Sequence, residues 1–355
     1  MRRVISGLAA TFALALVASS CSSSSEPEGA ATGEPTAAAN DPVVVLAYDS
    51  MDFPQELADA FKQKTGFELE IQATGDAGEL ANKLVLSKDA PLGDVAFGID
   101  NISGYRAVEA GVFAADPVAA PAEVTELGIK DAPGLTAFDH GDVCVNYDKA
   151  WFTDNGKKVP ATLDDLRDPE YKDLFVAMNP TSSSPGMAFL AATVANYGDQ
   201  WEQYWKDLKD NGVKITSGWS EAFNVDYSAG EGKGPRPLML SYSSSPAWSV
   251  NDDLTDSSTA ALLETCFHQV EYMGVLQGAK NPEGAKAFVE FMLEKESQEA
   301  ISAANYMHPV VAGAKLPEAL EKFGPLAPTT HDIDAQTIMT QQKDWLAKWA
   351  DIMGQ

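Results

Sequence analysis

The sequence predicts an α/β protein of two lobes with a ligand cleft between them. Short apolar runs alternate with stretches of helical period in βαβ order, which is the pattern of parallel sheet covered by helices. The chain has 355 residues, more than one compact core usually holds. Two strand-like segments, each with one cysteine, lie where the chain passes from one α/β series to the other.

The first series opens with an apolar run over 43–47. A helix over 54–64 follows, with Pro54 at its start and Thr65-Gly66 at its end, in the positions where proline opens and glycine closes a helix. A strand over 67–71, a helix over 79–86 and a strand over 94–99 complete it. The second series begins near Gly141, with strands over 141–147, 174–178, 213–215 and 237–242. Its helices start at Pro185 and span 200–209 and 221–229. A strand over 265–273 and helices over 283–293 and 296–303 then lead back to the first lobe. The last helix, 335–352, puts Ile338, Met339, Trp345, Leu346, Trp349 and Ile352 on one stripe, a packing face. Lobe 1 is therefore expected over residues 41–142 with 268–312, and lobe 2 over 143–267 with 313–355.

Residues 1–21 read as a secretory signal: Met1-Arg2-Arg3, an apolar run over 8–17, and Ala18-Ser19-Ser20 before Cys21. Small residues leading into a cysteine resemble a bacterial lipobox, which implies cleavage before Cys21 and attachment of lipid to it. Residues 22–40 hold no large apolar side chain, so they cannot offset the entropy of ordering and are expected to be a flexible tether of roughly 60 Å at full extension. No other apolar run approaches the roughly 20 residues that cross a membrane. The expected location is extracytoplasmic, lipid-anchored to the outer face of the bacterial cell membrane, with the lipid as the one membrane contact.

Fifty-two Asp and Glu against 25 Lys and Arg give a formal charge of −27. That balance argues against nucleic acid and anionic lipid surfaces and favours a cationic ligand, although solubility alone also accounts for acidity. With Cys21 lipidated, Cys144 and Cys266 remain in an oxidising compartment, where a disulfide is expected; spacing does not prove the pairing. The four histidines are scattered without ligand spacing and no Tyr-Tyr pair occurs, so no metal site is expected.

Ligands of open α/β sheets sit beyond the carboxyl ends of strands, where helix N-termini also point. The strand over 237–242 runs into Ser243-Ser244-Ser245-Pro246-Ala247-Trp248, a turn of hydroxyls bracketed by Tyr242 and Trp248, with Pro246 suited to a first helical turn. Five more segments take such places: Tyr48-Asp49-Ser50, Thr74-Gly75-Asp76, Gly98-Ile99-Asp100-Asn101, Thr181-Ser182-Ser183-Ser184-Pro185-Gly186 and Ser217-Gly218-Trp219-Ser220-Glu221. Ser184-Pro185 reads as an N-cap followed by proline, leaving Ser183 and nearby N–H groups to hold an acceptor or simply to cap. Tyr48, Trp219, Tyr242, Trp248 and Tyr306 suit a sandwich around a flat ring; a cation over each face gains roughly 0.5–2 kcal/mol, though each ring equally suits a core. Asp76 and Asp100 fit ordinary Asx turns, or charge pairing and acceptance from an exocyclic amine. Gly230-Glu231-Gly232-Lys233-Gly234 precedes a strand and reads as a turn, not a phosphate loop.

These strings, with Asn305-Tyr306-Met307-His308-Pro309, resemble in order and spacing those of the thiamine-binding proteins of ABC importers, and the likeness runs from residue 43 to the last helix. The resemblance implies a two-lobed type II periplasmic binding protein fold that closes on its ligand by a hinge. It implies that Tyr48, Trp219, Tyr242 and Trp248 enclose thiamine, and that Asp76 and Ser183 are polar contacts. Trp248 stands where the family usually has Tyr, and Tyr306 where it usually has Trp. The expected ligand set is Tyr48, Asp76, Asp100, Ser183, Trp219, Tyr242, Trp248 and Tyr306. No Lys or Arg falls in these strings, and the ranking of thiamine against its phosphates stays open. The implied partners are an importer permease and its ATPase, with the protein a monomer that has no cofactor and no catalytic residue. Two alternatives share the fold: a polyamine-binding protein, and a thiaminase I-like enzyme with Cys144 as nucleophile and Glu271 as base.

Overall fold

The computed structural model describes residues 41–355. The signal over 1–21, the lipidation site Cys21 and the tether over 22–40 lie outside the described residues. The strands are β1 (Val43–Ala47), β2 (Leu69–Ala73), β3 (Val95–Asp100), β4 (Leu135–Asp148), β5 (Phe175–Met178), β6 (Lys214–Thr216), β7 (Leu238–Tyr242), β8 (Thr259–Val275) and β9 (His308–Pro309). They form one mixed sheet in the order β2-β1-β3-β8-β4-β7-β5-β6, with β9 on β4.

Each end of the sheet is parallel: β1 pairs with β2 and β3, and β5 with β6 and β7. Helices cover both faces there, so β3 and β5 are buried at every residue, the burial expected of doubly covered parallel strands. Between these ends run β4 and β8, antiparallel from Leu135↔Gly274 to Asp148↔Thr259. The final part of β8 borders β3, and the second half of β4 borders β7, so the two long strands carry the chain between lobes. Register shifts at Ala137/Asp139 and Val143/Val145 bend the pair where it crosses. Cys144 and Cys266 join it by a disulfide, with Cα atoms 4.3 Å apart.

The crossing strands extend well beyond the expected 141–147 and 265–273. Asp139, His140 and Asp142 interrupt the apolar pattern of β4 and so resemble a turn, yet Asp139 and Asp142 are buried within the strand. The expected helix over 221–229 is also corrected. A helical turn Trp219–Glu221 continues as a π turn, Ala222–Asp226. The chain then leaves the helix because Arg236 N–H donates to Asp226 O and Ser228 N–H to Arg236 O, each at 2.9 Å. Strand β2 starts two residues later than expected, since the backbone N–H of Phe67 is turned to Thr65 Oγ1 at 3.2 Å.

Helix Pro282–Met292 sets Phe288 against Phe53, Phe61 and Phe97 under the β1–β3 end. The last helix, Ala335–Met353, is capped by Asp334, which accepts from Thr337 N–H at 2.9 Å. Its stripe packs on helix Trp201–Asp210, with Trp349 edge-on to Trp205 at 5.6 Å and both rings fully buried. Each such ring contributes roughly 2–3 kcal/mol by burial. Among the described residues no helix is long and apolar enough to cross a membrane.

Candidate ligand-binding site

A cavity of about 630 Å³ opens between the two halves of the sheet. One side is built from Tyr48, Asp49 and Ser50 after β1 and from Asp76 and Ala77 at the start of helix Ala77–Leu86. The other side comes from Ser184 and Pro185, from Trp219, Ser220, Phe223 and Asn224, and from the turn after β7 with Tyr242, Ser244, Ser245 and Trp248. Glu271 of β8 closes the floor.

Asp76 sits at an N-cap position but does not cap its own helix. Its Oδ1 accepts from Ser184 N–H and its Oδ2 from Trp219 N–H, both at 3.0 Å, so a carboxylate of one lobe satisfies two helix-start amides of the other. Burial pushes its carboxyl up to about 6, with the two N–H donors opposing the rise. Glu271 lies opposite Asp139 in the β4–β8 register. Its Oε2 accepts from the Tyr48 hydroxyl at 3.1 Å and its Oε1 from Gln269 Nε2 at 2.8 Å. Burial raises Glu271 well above the usual carboxylate range, and the neighbouring Asp139 raises it further. Asp139 is raised by burial as well, and its Oδ1 has no partner.

The aromatic walls are held from behind. A Cβ on Gly98 would stand 2.3 Å from Tyr48 Cε1, so glycine there, at φ +93°, lets the phenol lie flat on β3. Trp219 donates its indole N–H to Ser241 Oγ at 2.8 Å; Ser241 in turn meets Ser245 Oγ at 2.7 Å, and Ser245 Oγ accepts from Tyr242 N–H at 3.1 Å. The serine-rich turn thus fixes two rings through one hydroxyl chain. Phe223 stacks on Trp219 at 4.8 Å and 10°, covering one indole face. Trp248 stands at the rim, 55% exposed, with Tyr306 edge-on to it at 5.0 Å.

Of the eight residues expected at the ligand, Tyr48, Asp76, Trp219, Tyr242 and Trp248 line the cavity. The other three are placed elsewhere. Asp100 is buried, with its oxygens taken by the N–H groups of Ile102 and Ser103 and by Ser103 Oγ. Ser183, not Ser184, is the N-cap of helix Ser184–Tyr197, its buried Oγ accepting from Gly186 N–H at 3.4 Å, which moves proline to the second position. Tyr306 supports Trp248 instead of forming wall. Sequence reasoning missed Phe223, Asp49, Glu231 and the floor role of Glu271. A charge inside the apolar run 265–273 was the available signal for Glu271. Glu231 sits in the glycine-rich turn that was set aside.

Four carboxylates line the cavity, Asp49, Asp76, Glu231 and Glu271, and among the described residues no Lys, Arg or His does. Such a cavity recruits a cation with flat apolar surface. Among the described residues no group of three or more His, Cys, Asp or Glu has the geometry to hold a metal ion. Cys144 is fully buried and bonded to Cys266, so it offers no thiolate.

A family model described as bacterial extracellular solute-binding protein matches residues 92–334. The chain is 32% identical over 291 residues to the thiamine-binding periplasmic protein of Escherichia coli (strain K12), covering 82% of this chain and 85% of that protein. It is 29% identical over 330 residues to the protein of the same name from Brucella suis biovar 1, covering 89% and 93%. A solved periplasmic thiamin binding protein superposes with a TM-score of 0.75 at 27% identity, over 89% of this chain and 97% of that one. Fold, cleft and relatives agree, and the chain belongs to the bacterial extracellular solute-binding protein family.

Proposed function

We propose that this protein captures thiamine in the cleft and delivers it to the permease of an ABC importer, whose ATPase supplies the work. The observation that carries the reading is the pairing of aromatic walls with four carboxylates in a cavity that no basic side chain lines among the described residues. Thiamine joins a flat aminopyrimidine to a cationic thiazolium, and both halves find partners here. The rings stack on the free face of Trp219 and between Tyr48 and Tyr242, with Trp248 over the mouth. Asp76 and Glu271 balance the charge and accept from the exocyclic amine. Burying carboxylates without a counter-charge is unfavourable, and a cationic ligand offsets that cost.

In this reading no bond is made or broken, because the thiol that an enzyme of similar shape needs is tied up with Cys266. The protein acts as a monomer, held to the membrane by lipid on Cys21 and the tether that follows. Lobe 1 comprises residues 41–142 and 268–312, and lobe 2 the remainder of 143–355. The acidic lining also suits a polyamine, which is the second reading. Calorimetric titration with thiamine, thiamine monophosphate and spermidine separates them: heat from thiamine alone, or from it and its phosphate, supports the proposal, and heat from spermidine alone replaces it.

A further inference from the structure

Three of the four histidines, far apart in sequence, meet outside the cavity where the crossing strands change partners. His140 of β4 is paired with His308 of β9, their rings 5.6 Å apart. His268 of β8 lies opposite Asp142 of β4 and 5.4 Å from the His140 ring. Its Nδ1 is 2.7 Å from Asp142 Oδ1, and Asp142 Oδ2 accepts from Ala327 N–H at 2.6 Å. His308 Nε2 is 2.9 Å from Gly324 O, so that nitrogen donates. His140 Nδ1 is buried without a partner.

Three imidazoles thus share one buried carboxylate. The other charge facing them is Asp332, from the segment before helix Ala335–Met353, which accepts from His268 N–H at 3.0 Å. One protonated ring is balanced by Asp142; a second proton, on His140 or His308, has no anion of its own at 5–6 Å separation, and like charges repel there. The strand exposed to that repulsion is two residues long. Its neighbour Met307 lines the cavity, and a Cβ on Gly141 would come within 2.9 Å of the Met307 methyl, so β4 and the ligand wall touch directly.

We propose that His140, His268, His308 and Asp142 form a proton-responsive clasp on the crossing strands, which in acid loosens β9 from β4, moves Met307 off the cavity wall and weakens ligand retention. Burial, with the neighbouring imidazoles adding to it, holds His140 down at about 4, and burial lowers His308 too, while the hydrogen bond from Asp142 raises His268. For His140 and His308 the stability gained by staying neutral is present above their unfolded value of about 6.5 and is lost as pH falls toward their folded values. For His268 the sign is opposite: its contribution is present below about 6.5 and is lost as pH rises through its folded value. Two rings against one make acid the loosening direction.

The ligand half of this proposal rests on the function proposed above; the clasp half does not. The test compares the protein with its His140→Phe and His308→Gln variants, measuring ligand-free melting temperature and thiamine affinity at about pH 7.5 and about pH 5. Cavity carboxylates titrate in the same window, so the comparison between variants decides. The expected result is an acid-induced affinity loss of about tenfold in the unmodified protein and under about threefold in His140→Phe, with a correspondingly smaller drop in melting temperature. Parallel falls in all three proteins overturn the clasp. If thiamine binds at neither pH, the proposed function fails and the melting comparison still judges the clasp. Should the variants not fold, ring-proton NMR of the unmodified protein takes their place: His140 uncharged at about pH 5.5 supports the clasp, and titration near the ordinary value of about 6.5 overturns it.

Discussion

The carboxylate of Asp76 and the backbone N–H of Trp219 meet at 3.0 Å, a contact between residues 143 apart in sequence and on opposite sides of the cleft. The other oxygen holds Ser184 N–H at the same distance. A single side chain therefore ties the start of one lobe's helix to two helix starts of the other, beside the aromatic wall.

Asp76→Ala strands two amide donors and removes one of the carboxylates. A buried unsatisfied donor costs about 1–3 kcal/mol, so thiamine affinity is expected to drop by about 2 kcal/mol at neutral pH, measured by calorimetry.

Affinity should also depend on pH through this residue. Its carboxyl is pushed up to about 6 by burial, above an unfolded value of about 4. The folded state then holds its proton more tightly, so burial of Asp76 lowers stability once pH rises from about 4 through about 6, and acid relieves that penalty. Attraction for a cation runs the other way, since only the ionised form supplies it. Thiamine affinity is expected to fall as pH is lowered through about 6, and Asp76→Asn should lack that step.

Trp219 offers one free face, because Phe223 covers the other. Trp219→Ala is expected to weaken thiamine by about 1–3 kcal/mol. Ser241→Ala, which removes the acceptor for the indole N–H, should cost about 1 kcal/mol through misplacement of the ring. Fluorescence titration of both variants checks the order; equal affinity in Trp219→Ala takes that ring out of the site.

The Cys144–Cys266 disulfide closes a loop of sequence separation 122 across the crossing strands. Its removal in the double Cys→Ser variant is expected to cost about 2–5 kcal/mol, seen as a lower denaturation midpoint, with thiamine binding retained where the protein is folded because neither sulfur lines the cavity.

Trp349→Ala opens a cavity against Trp205 and should destabilise by about 3–5 kcal/mol, again without altering affinity in the folded protein. Urea unfolding followed by circular dichroism measures the change.

The parts legible in the sequence are those written in local periodicity. Val43–Ala47 is an unbroken apolar run and reads as a buried strand directly, and the stripe ending in Trp349 reads as a packed helix face. Strand β4 is less legible because Asp139, His140 and Asp142 owe their places to partners on β8 and β9. Asp76 and Asp100 follow or end similar strands and look alike locally. They differ in what lies opposite: Asp100 bonds its own next turn, whereas Asp76 faces amides more than a hundred residues onward. Ser183 and Ser184 are likewise separable by helix phase and not by composition. The aromatic and acidic content of the cleft could be read; which groups face the ligand depended on long-range register.

The account stands most directly on calorimetric titration of the protein with thiamine, with recovery of intact thiamine checked afterwards. It predicts saturable one-to-one binding with all the vitamin recovered unchanged. No binding heat, or thiamine consumed during the titration, contradicts it.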